Sequence, residues 1–282
     1  MESVRRVELI DADCGIEQAL GVLTDWWTFL VVRDVAGGAT RFEALQRSLG
    51  VSRRALTERL GALVAHGVLA RVAYSEHPPR YDYLLTPKGE GLLPVLVALQ
   101  EWGDRHVLGD GSVTATAAPT SAEAHRVHGL VGHRIPGLPL ETWTVLYFFP
   151  GAFAPDAQGH PPGWGDIPGA GGCTLESMTY ASRAPEFAAA GVRIRGVSTQ
   201  RPDQLAAFAA FAELPFPLLS DQDGKLAASL RLPTFRVSGV DRFKRLTLLA
   251  DPGAVIRAVQ FPVTDPAASV TEMLDQVRAR AL

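Results

Sequence analysis

One cysteine of the chain stands in a context typical of a reactive thiol. Cys173 lies in Gly171-Gly172-Cys173-Thr174-Leu175-Glu176, and a helical pattern over 176–190 follows it. A thiol in the first turn of a helix meets unpaired N–H groups and the positive end of the helix dipole, which lower its pKa and favour the thiolate. A thiolate attacks the O–O bond of a peroxide and becomes a sulfenic acid. A lone cysteine is more often a small buried hydrophobe, but this context favours a peroxide-reactive Cys173.

An arginine would complete such a site. A fixed cation beside Cys173 holds both the thiolate and the leaving oxygen of the peroxide, and a guanidinium keeps its charge at any physiological pH. Arg245 begins an apolar, strand-like run and is the candidate for this position.

The elements that would position Cys173 and Arg245 alternate between strands and helices. An apolar run ended by Pro150 is typical of a buried central strand. The predicted strands are 143–149, 192–198, 245–251 and 255–261, and the predicted helices are 176–190 and 267–281. This order predicts an α/β domain with a thioredoxin-like layout over residues 127–282.

The N-terminal part of the chain has a different pattern, dominated by helices. In chain order the prediction is one helix over 16–35, a short helix capped by Thr40, a turn at Gly50-Val51, a helix capped by Ser52, hairpin strands at 68–74 and 80–85, and a long helix from Pro87. Two helices joined by a short turn and followed by a hairpin are typical of an α+β winged helix-turn-helix domain that binds DNA. We expect this domain over residues 1–108.

Charge supports DNA binding locally, although the net charge of the chain is -3. Residues 41–80 hold seven Arg against three Glu, and phosphate contacts need such a local patch. We expect Arg53, Arg54 and Thr57 to face the major groove, with Arg59 also pointing outward, and Arg80 in the wing to meet a phosphate. The alternative is that these arginines only decorate a solvated helix face.

Composition limits the remaining possibilities. A chain of 282 residues with 47% hydrophobic and 20% charged residues suggests two folded domains, and the small, polar residues 109–126 are typical of a linker between them. No apolar run approaches a membrane span, and acidic residues replace the apolar segment of a signal peptide, so we expect a cytoplasmic protein without membrane contact. Two cysteines and seven scattered histidines predict no metal site, and no cofactor is expected.

The first domain resembles the HxlR family of winged-helix transcription regulators from Cys14 to about Gly103. The resemblance rests on Cys14-Gly-Ile-Glu17-Gln-Ala-Leu, Trp27-Thr-Phe-Leu, Arg41-Phe42-Glu43-Ala-Leu45, Leu56-Thr-Glu-Arg59-Leu60, His66-Gly67-Val-Leu, Pro78-Pro79-Arg80-Tyr81-Asp-Tyr83-Leu-Leu-Thr86 and Gly89. It implies a homodimer paired through the terminal helices and bound to a two-fold site on double-stranded DNA. It also implies that Cys14 stands where several branches carry a cysteine that senses oxidants.

The second domain resembles the peroxiredoxin family over about 127–282. The matching segments are Leu146-Tyr-Phe-Phe-Pro150, Gly172-Cys173-Thr174-x-Glu176, Gly196-Val-Ser198, Pro217-Leu-Leu-Ser-Asp221 and Arg245-x-Thr247-Leu-Leu-Ala-Asp251. The resemblance implies that Cys173 is the peroxidatic cysteine, that Arg245 is the active-site arginine and that Glu176 orients it. The substrate would be a peroxide and the reductant a thiol.

Two positions depart from the peroxiredoxin pattern. The family usually carries Thr or Ser three residues before the cysteine, where this chain has Ala170, so Thr174 or backbone N–H groups must replace that hydroxyl or the activity is weak. Met178 occupies the position of a resolving cysteine in some branches. A one-cysteine cycle, a small thiol or Cys14 must then complete the reaction.

Three functional hypotheses follow from the two resemblances. The first is a transcription regulator whose DNA affinity responds to peroxide. The second is a thiol peroxidase whose winged helix serves mainly for dimerisation. The third is a non-catalytic protein whose thioredoxin-like domain senses a ligand or partner. Within the first, oxidation passes from Cys173 to Cys14, or the two thiols act independently.

Overall fold

A computed structural model describes residues 13–23, 25–155 and 159–279 of the chain. The chain divides into two compact units, between Leu96 and Val97. Residues 1–12, on which part of the expectation of a cytoplasmic location rests, lie outside the described residues. Among the described helices, none is long and apolar enough to cross a membrane.

The first unit is a winged helix-turn-helix fold, which confirms the predicted class. Its elements are α1 (Gly15–Leu23), α2 (Trp26–Ala36), α3 (Phe42–Leu49), α4 (Arg53–Ala65), β1 (Leu69–Glu76), β2 (Pro79–Leu85) and α5 (Pro87–Glu90). The division between the units falls within α6 (Leu93–His106). Leu45 of α3 and Leu56, Leu60 and Leu63 of α4 are buried in one apolar core with Val31 of α2. This core fixes the two helices of the motif against each other.

Two helices, α1 and α2, replace the single helix predicted over 16–35. Asp25 between them has an extended backbone, and its carboxylate accepts a hydrogen bond from the N–H of Thr28 at 3.1 Å. The hydroxyl of Thr28 faces the N–H of Asp25 in return at 3.4 Å, which completes a capping box. A capping box starts a new helix. The prediction followed the apolar spacing and missed this cap, so it is wrong here.

Ser52 and Thr40 differ as helix caps. Ser52 accepts a hydrogen bond from the N–H of Ala55 at 3.2 Å and caps α4, as predicted. Thr40 does not cap α3, because its hydroxyl donates to Asp82 on β2 at 2.7 Å and Arg41 takes the N-cap position.

The long helix predicted from Pro87 is divided into α5 and α6. Pro94 is the second residue of α6, and it has no N–H to donate to a preceding turn. Proline is tolerated in the first turn of a helix, where the N–H groups have no partner within the helix. The break therefore places Pro94 where its missing donor costs nothing.

The second unit has a thioredoxin-like fold, again as predicted. Its elements are α7 (Ala122–His128), β3 (Trp143–Phe148), α8 (Cys173–Ala189), β4 (Val192–Ser198), α9 (Pro202–Phe211), β5 (Leu218–Ser220), α10 (Lys225–Ser229), β6 (Thr234–Val237), β7 (Val240–Phe243), β8 (Leu246–Ala250), β9 (Ile256–Gln260) and α11 (Pro266–Ala279). Five strands form one sheet in the order β5-β4-β3-β8-β9, and β6 and β7 form a separate hairpin.

The sheet explains how Cys173 and Arg245 meet. β3 is central and mostly buried, parallel to β4 and antiparallel to β8, with Phe148 paired to Leu246. The carboxyl end of β3 therefore lies beside the start of β8, where Arg245 stands. α8 packs on the sheet through buried Tyr180 and Phe187.

The predicted linker, 109–126, is packed over part of its length. Ala115 is buried, its N–H donates to the carbonyl of Pro168 at 2.9 Å, and its carbonyl accepts from the N–H of Arg245 at 3.4 Å. α7 also begins inside this segment, at Ala122. The small side chains that suggested a flexible linker instead allow close packing on the loop before Cys173.

Candidate thiol site and DNA-binding surface

Gly172 sets the direction in which α8 begins. Its φ of 91° lies in the left-handed region that favours glycine, and a Cβ there would lie 2.7 Å from the side chain of Pro266. Cys173 follows as the first residue of α8, in the first turn as predicted, and the helix starts three residues before the predicted range 176–190. The thiol is buried, and its Sγ lies 3.6 Å from the carbonyl oxygen of Ala170.

Arg245 lies directly against this thiol. Its Nη2 is 3.4 Å from the Sγ of Cys173 and donates to the carbonyl of Gly171 at 2.7 Å. Its Nη1 forms an ion pair with Oε2 of Glu176, one turn into α8. Arg245 and Glu176 are 1% and 0% exposed, so the interaction is shielded from water. The structure brings together three of the four residues predicted for this site.

Burial dominates the electrostatics of the cluster. It raises the pKa of the Cys173 thiol, against the opposing effects of the Arg245 cation and the backbone N–H of Gly151. It also raises the pKa of Glu176 to about 7, again opposed by Arg245. The lowered thiol pKa predicted from the helix N-terminus is therefore wrong for this buried geometry, because desolvation disfavours the thiolate.

The remaining predicted positions lie around the thiol. Thr174 is the second residue of α8 and half-buried, with no hydrogen bond of its hydroxyl among the described residues. Ala170 is fully buried in an apolar cluster with Trp164 and Phe235, so a larger side chain would meet filled space. Met178 is exposed on α8.

Sequence reasoning missed the residues that surround the cluster. Arg242 on β7 is buried, and burial lowers the pKa of its guanidinium against the opposing effect of Cys173. His160 stacks on Trp164 with ring centroids 4.9 Å apart in the loop before the thiol. The basic run Arg242-Phe243-Lys244-Arg245 could have drawn attention to Arg242. Arg245 of the same run had already been assigned as the cation beside the thiol, so Arg242 was not considered.

In the first unit, the exposed start of α4 carries the three predicted DNA-contacting residues. Arg53 lies over the ring of Phe42 at 4.8 Å, and Arg54 pairs with Glu58 through Nε at 2.9 Å. The hydroxyl of Thr57 donates to the carbonyl of Arg53 at 2.8 Å, and the residue is exposed.

Arg59 does not point freely outward, which corrects the sequence interpretation. It forms an ion pair with Asp25, the N-cap of α2, with Nη2 2.6 Å from Oδ2. This pair links α4 to α2 and removes Arg59 from the residues available to DNA.

Arg80 stands near the tip of the wing. It is exposed, and the described residues offer its side chain no ion pair, hydrogen bond or ring contact. Two other arginines of the patch lie over wing tyrosines, Arg41 over Tyr74 at 4.5 Å and Arg71 over Tyr81 at 4.2 Å.

Cys14 lies just before α1 and is partly exposed, and its carbonyl accepts from the N–H of Gln18 at 3.0 Å. Within the described part of the chain, no cluster of three His, Cys, Asp or Glu residues is arranged to hold a metal ion.

Fold and site together define a winged helix-turn-helix protein with a second, thioredoxin-like unit. Residues 22–109 match the HxlR-like helix-turn-helix family, and residues 167–259 match the AhpC/TSA family. The HTH-type transcriptional regulator YtfH of Escherichia coli is 33% identical over 102 residues, 36% of this chain and 81% of YtfH. YvaP of Bacillus subtilis, another HTH-type regulator, is 37% identical over 87 residues, 30% of this chain and 81% of YvaP. The chain therefore belongs to the HxlR-like helix-turn-helix family and carries an AhpC/TSA, peroxiredoxin-like domain in addition.

One further regulator is matched over less than two thirds of its length, and two solved structures are similar to part of this chain. An HTH-type transcriptional regulator of Mycobacterium tuberculosis is 39% identical over 93 residues, 33% of this chain, and the chain spans 59% of its length. Peroxidoxin BcpB from Mycobacterium tuberculosis shows 27% identity over 49% of this chain and 80% of that chain, with a TM-score of 0.41. Peroxiredoxin Q from Xanthomonas campestris shows 26% identity over 58% of this chain and 85% of that chain, with a TM-score of 0.40.

Proposed function

We propose that the protein is a DNA-binding transcription regulator whose DNA affinity changes when a peroxide oxidises Cys173. The observation that carries the proposal is the contact of 3.4 Å between the Arg245 guanidinium and the Cys173 thiol, in the same chain as a winged helix-turn-helix. A guanidinium held by Glu176 against a thiol supports this proposal, because a fixed cation favours the thiolate and stabilises a leaving oxygen.

In the proposed reaction the Cys173 thiolate attacks the distal oxygen of a hydroperoxide. The O–O bond breaks, the hydroxyl group forms Cys173 sulfenic acid, and the other oxygen leaves as an alkoxide, or as hydroxide when the substrate is hydrogen peroxide. Arg245 stabilises both the thiolate and the developing charge on the leaving oxygen, and Glu176 positions Arg245. A thiol then condenses with the sulfenic acid to form a disulfide and water.

Ala170 has no side-chain hydroxyl, so peroxide binding relies on other groups. The N–H of Gly151 supports the thiolate, and Thr174 at the second position of α8 supplies the nearest hydroxyl in the sequence. We expect Cys173 to react more slowly than a site that carries a hydroxyl at position 170.

DNA binding is assigned to α4 and the wing. Arg53, Arg54 and Thr57 read bases in the major groove of double-stranded DNA, and Arg80 contacts a phosphate. The exposure of all four side chains supports this assignment. A homodimer of a cytoplasmic protein would place two such α4 helices on a two-fold site.

The exposed apolar residues of the terminal helices support dimerisation. They are Ile16 and Leu20 on α1, Trp26 on α2, and Val95, Leu99 and Trp102 on α6, each between 47% and 73% exposed. Exposed apolar side chains of this size are candidates for contact with a partner.

The packed segment after α6 gives a physical route from the thiol to the rest of the molecule. Ala115 is hydrogen-bonded both to Pro168, in the loop before Cys173, and to the backbone of Arg245. Oxidation of the buried thiol adds an oxygen atom to filled space, so the loop and this segment must adjust. α6 ends a few residues before the segment and is continuous with the first unit.

The decisive experiment measures operator binding by fluorescence anisotropy before and after one equivalent of peroxide, with both cysteines mapped by mass spectrometry. We expect Cys173 to be oxidised and the dissociation constant for DNA to change by at least fivefold. Cys173→Ser should abolish the change, whereas Cys14→Ser abolishes it only if oxidation passes on to Cys14. A Cys173 that stays a thiol, or is oxidised without an effect on DNA binding, would contradict the proposal.

A second candidate function is a thiol peroxidase whose winged helix serves mainly for dimerisation, and the contact between Cys173 and Arg245 favours it equally. Peroxide turnover and DNA binding, measured on the same protein, distinguish these functions. Sustained turnover of peroxide with a thiol reductant and no sequence-specific DNA binding would select the peroxidase. An unreactive Cys173 in a protein that binds DNA would select a non-catalytic sensor of a ligand or partner.

A further inference from the structure

A second arginine close to the thiol has no role in the site described above. Arg242 on β7 is 7% exposed, and its Nε and Nη1 donate no hydrogen bond to any described residue. Buried charged groups are normally paired, because transfer of a charge out of water is unfavourable without a partner. Two buried, unpartnered N–H groups on a guanidinium therefore point to an anion that binds there.

The hairpin places Arg242 beside the loop that carries the thiol. Arg242 pairs with Phe235 across β6 and β7, so both side chains lie on the same face of the hairpin. The ring of Phe235 lies 6.0 Å from that of Trp164, and both belong to one apolar cluster with Ala170, three residues before Cys173. Arg242 thus lies on the same face of the hairpin as an aromatic wall, formed by the rings of Phe235 and Trp164, that packs against Ala170.

The wall continues to the surface. The ring of His160 stacks on Trp164 and meets Phe153 edge-on at 4.9 Å. His160 is exposed and Phe153 is half-buried, so both present ring surface to an organic molecule. Burial lowers the pKa of His160, and the charge of Arg242 lowers it further, so the guanidinium lies on the His160 side of these rings.

We propose that Arg242 forms an anion subsite that binds the carboxylate of an organic hydroperoxide, while the apolar body of the substrate lies on the rings of Phe153 and His160. The proposal rests on the proposed peroxide reactivity of Cys173 and names its substrate class. Arginine suits a carboxylate, because its planar guanidinium matches the geometry of the two oxygens. Arg245 remains the arginine that holds the reacting atoms.

The test compares two substrates that differ only in charge, linoleic acid hydroperoxide and its methyl ester, with hydrogen peroxide as a third. Stopped-flow fluorescence measures the rate constant of Cys173 oxidation in the full-length protein and in Arg242→Gln and Arg242→Lys. We expect the wild type to prefer the acid over the ester at least tenfold. Arg242→Gln should lose that preference when the acid and ester rates are each divided by its own rate with hydrogen peroxide, and Arg242→Lys should retain part of the preference.

A binding measurement without peroxide separates the two proposals. Decanoate should slow the labelling of Cys173 by iodoacetamide in the wild type, decanol should not, and Arg242→Gln should abolish the protection by decanoate. If decanoate protects but no peroxide oxidises Cys173, the proposed function fails while the anion subsite stands. An unchanged ratio of acid to ester in a folded Arg242→Gln protein, or a parallel loss with all three peroxides, would overturn the subsite.

Discussion

Arg245 and Glu176 act on the Cys173 thiol with opposite signs. Arg245 lowers the thiol pKa, whereas Glu176 raises it. Burial raises the thiol pKa overall. We therefore expect the rate of Cys173 alkylation to keep increasing up to a more alkaline pH than the rate of an ordinary thiol does. Arg245→Ala should raise the pKa further and so reduce the thiolate fraction at neutral pH. Glu176→Gln should lower it.

The double variant Arg245→Met with Glu176→Gln is the control for this pair. It removes both buried charges together, and replacement of a whole buried ion pair is tolerated better than loss of one partner. Circular dichroism should show a folded protein, and the pH profile of alkylation should lie between those of the two single variants. Profiles that shift in the same direction for Arg245→Ala and Glu176→Gln would contradict this electrostatic assignment.

At the scale of elements, Asp25 serves two helices at once. It caps α2 through the N–H of Thr28 and pairs with Arg59 of α4. Asp25→Ala should lower the free energy of unfolding by about 0.5–2 kcal/mol for the lost cap, with a further small loss for the partly exposed ion pair. Asp25→Asn keeps a good cap and loses only the charge, so chemical denaturation should show it close to the wild type. Equal losses in the two variants would assign the stability to the ion pair instead.

The recognition helix and the wing should respond differently to loss of an arginine. If Arg53 and Arg54 read bases, each change to Ala should weaken operator binding by about 1–3 kcal/mol and relax sequence preference. Arg80→Ala should weaken binding to all DNA sequences alike and reduce the dependence on salt, because a phosphate contact carries no sequence information. Anisotropy titrations over a series of salt concentrations distinguish the two, with Arg201→Ala in the second unit as a control. Operator binding unaffected by Arg53→Ala and Arg54→Ala would refute the assignment.

At the scale of the molecule, α6 is the element that both units share. Its C-terminal half is held in the second unit by a partly buried ion pair between Asp104 and Arg126 at 2.5 Å and by a hydrogen bond from Gln100 to the carbonyl of Leu232 at 2.9 Å. We expect Asp104→Asn to reduce the effect of peroxide on DNA binding while Cys173 still reacts at the wild-type rate. Glu186→Gln, which breaks more exposed pairs with Arg183 and Arg278, is the control and should leave the response intact. A full response in Asp104→Asn would exclude this ion pair from the coupling.

The sequence by itself determined the two fold classes, most of their elements and the position of Cys173 in the first turn of a helix. Local signals were sufficient for these. The glycines before Cys173 allow the turn into α8, Ser52 caps α4, and the apolar run of β3 is long enough to specify a buried strand. Each of these features depends on residues that are neighbours in the chain.

Only the tertiary structure decided what surrounds the thiol. The pKa of Cys173 depends on burial by elements far away in the sequence, so the first turn of α8 alone gave the wrong direction. Arg59 looked available to DNA because the sequence does not reveal that it lies beside Asp25. The segment around Ala115 looked like a linker because small residues fit both a flexible chain and a tightly packed one. The position of Arg242 depends on the pairing of β6 with β7 and the packing of Phe235 on Trp164, which brings distant residues to one wall.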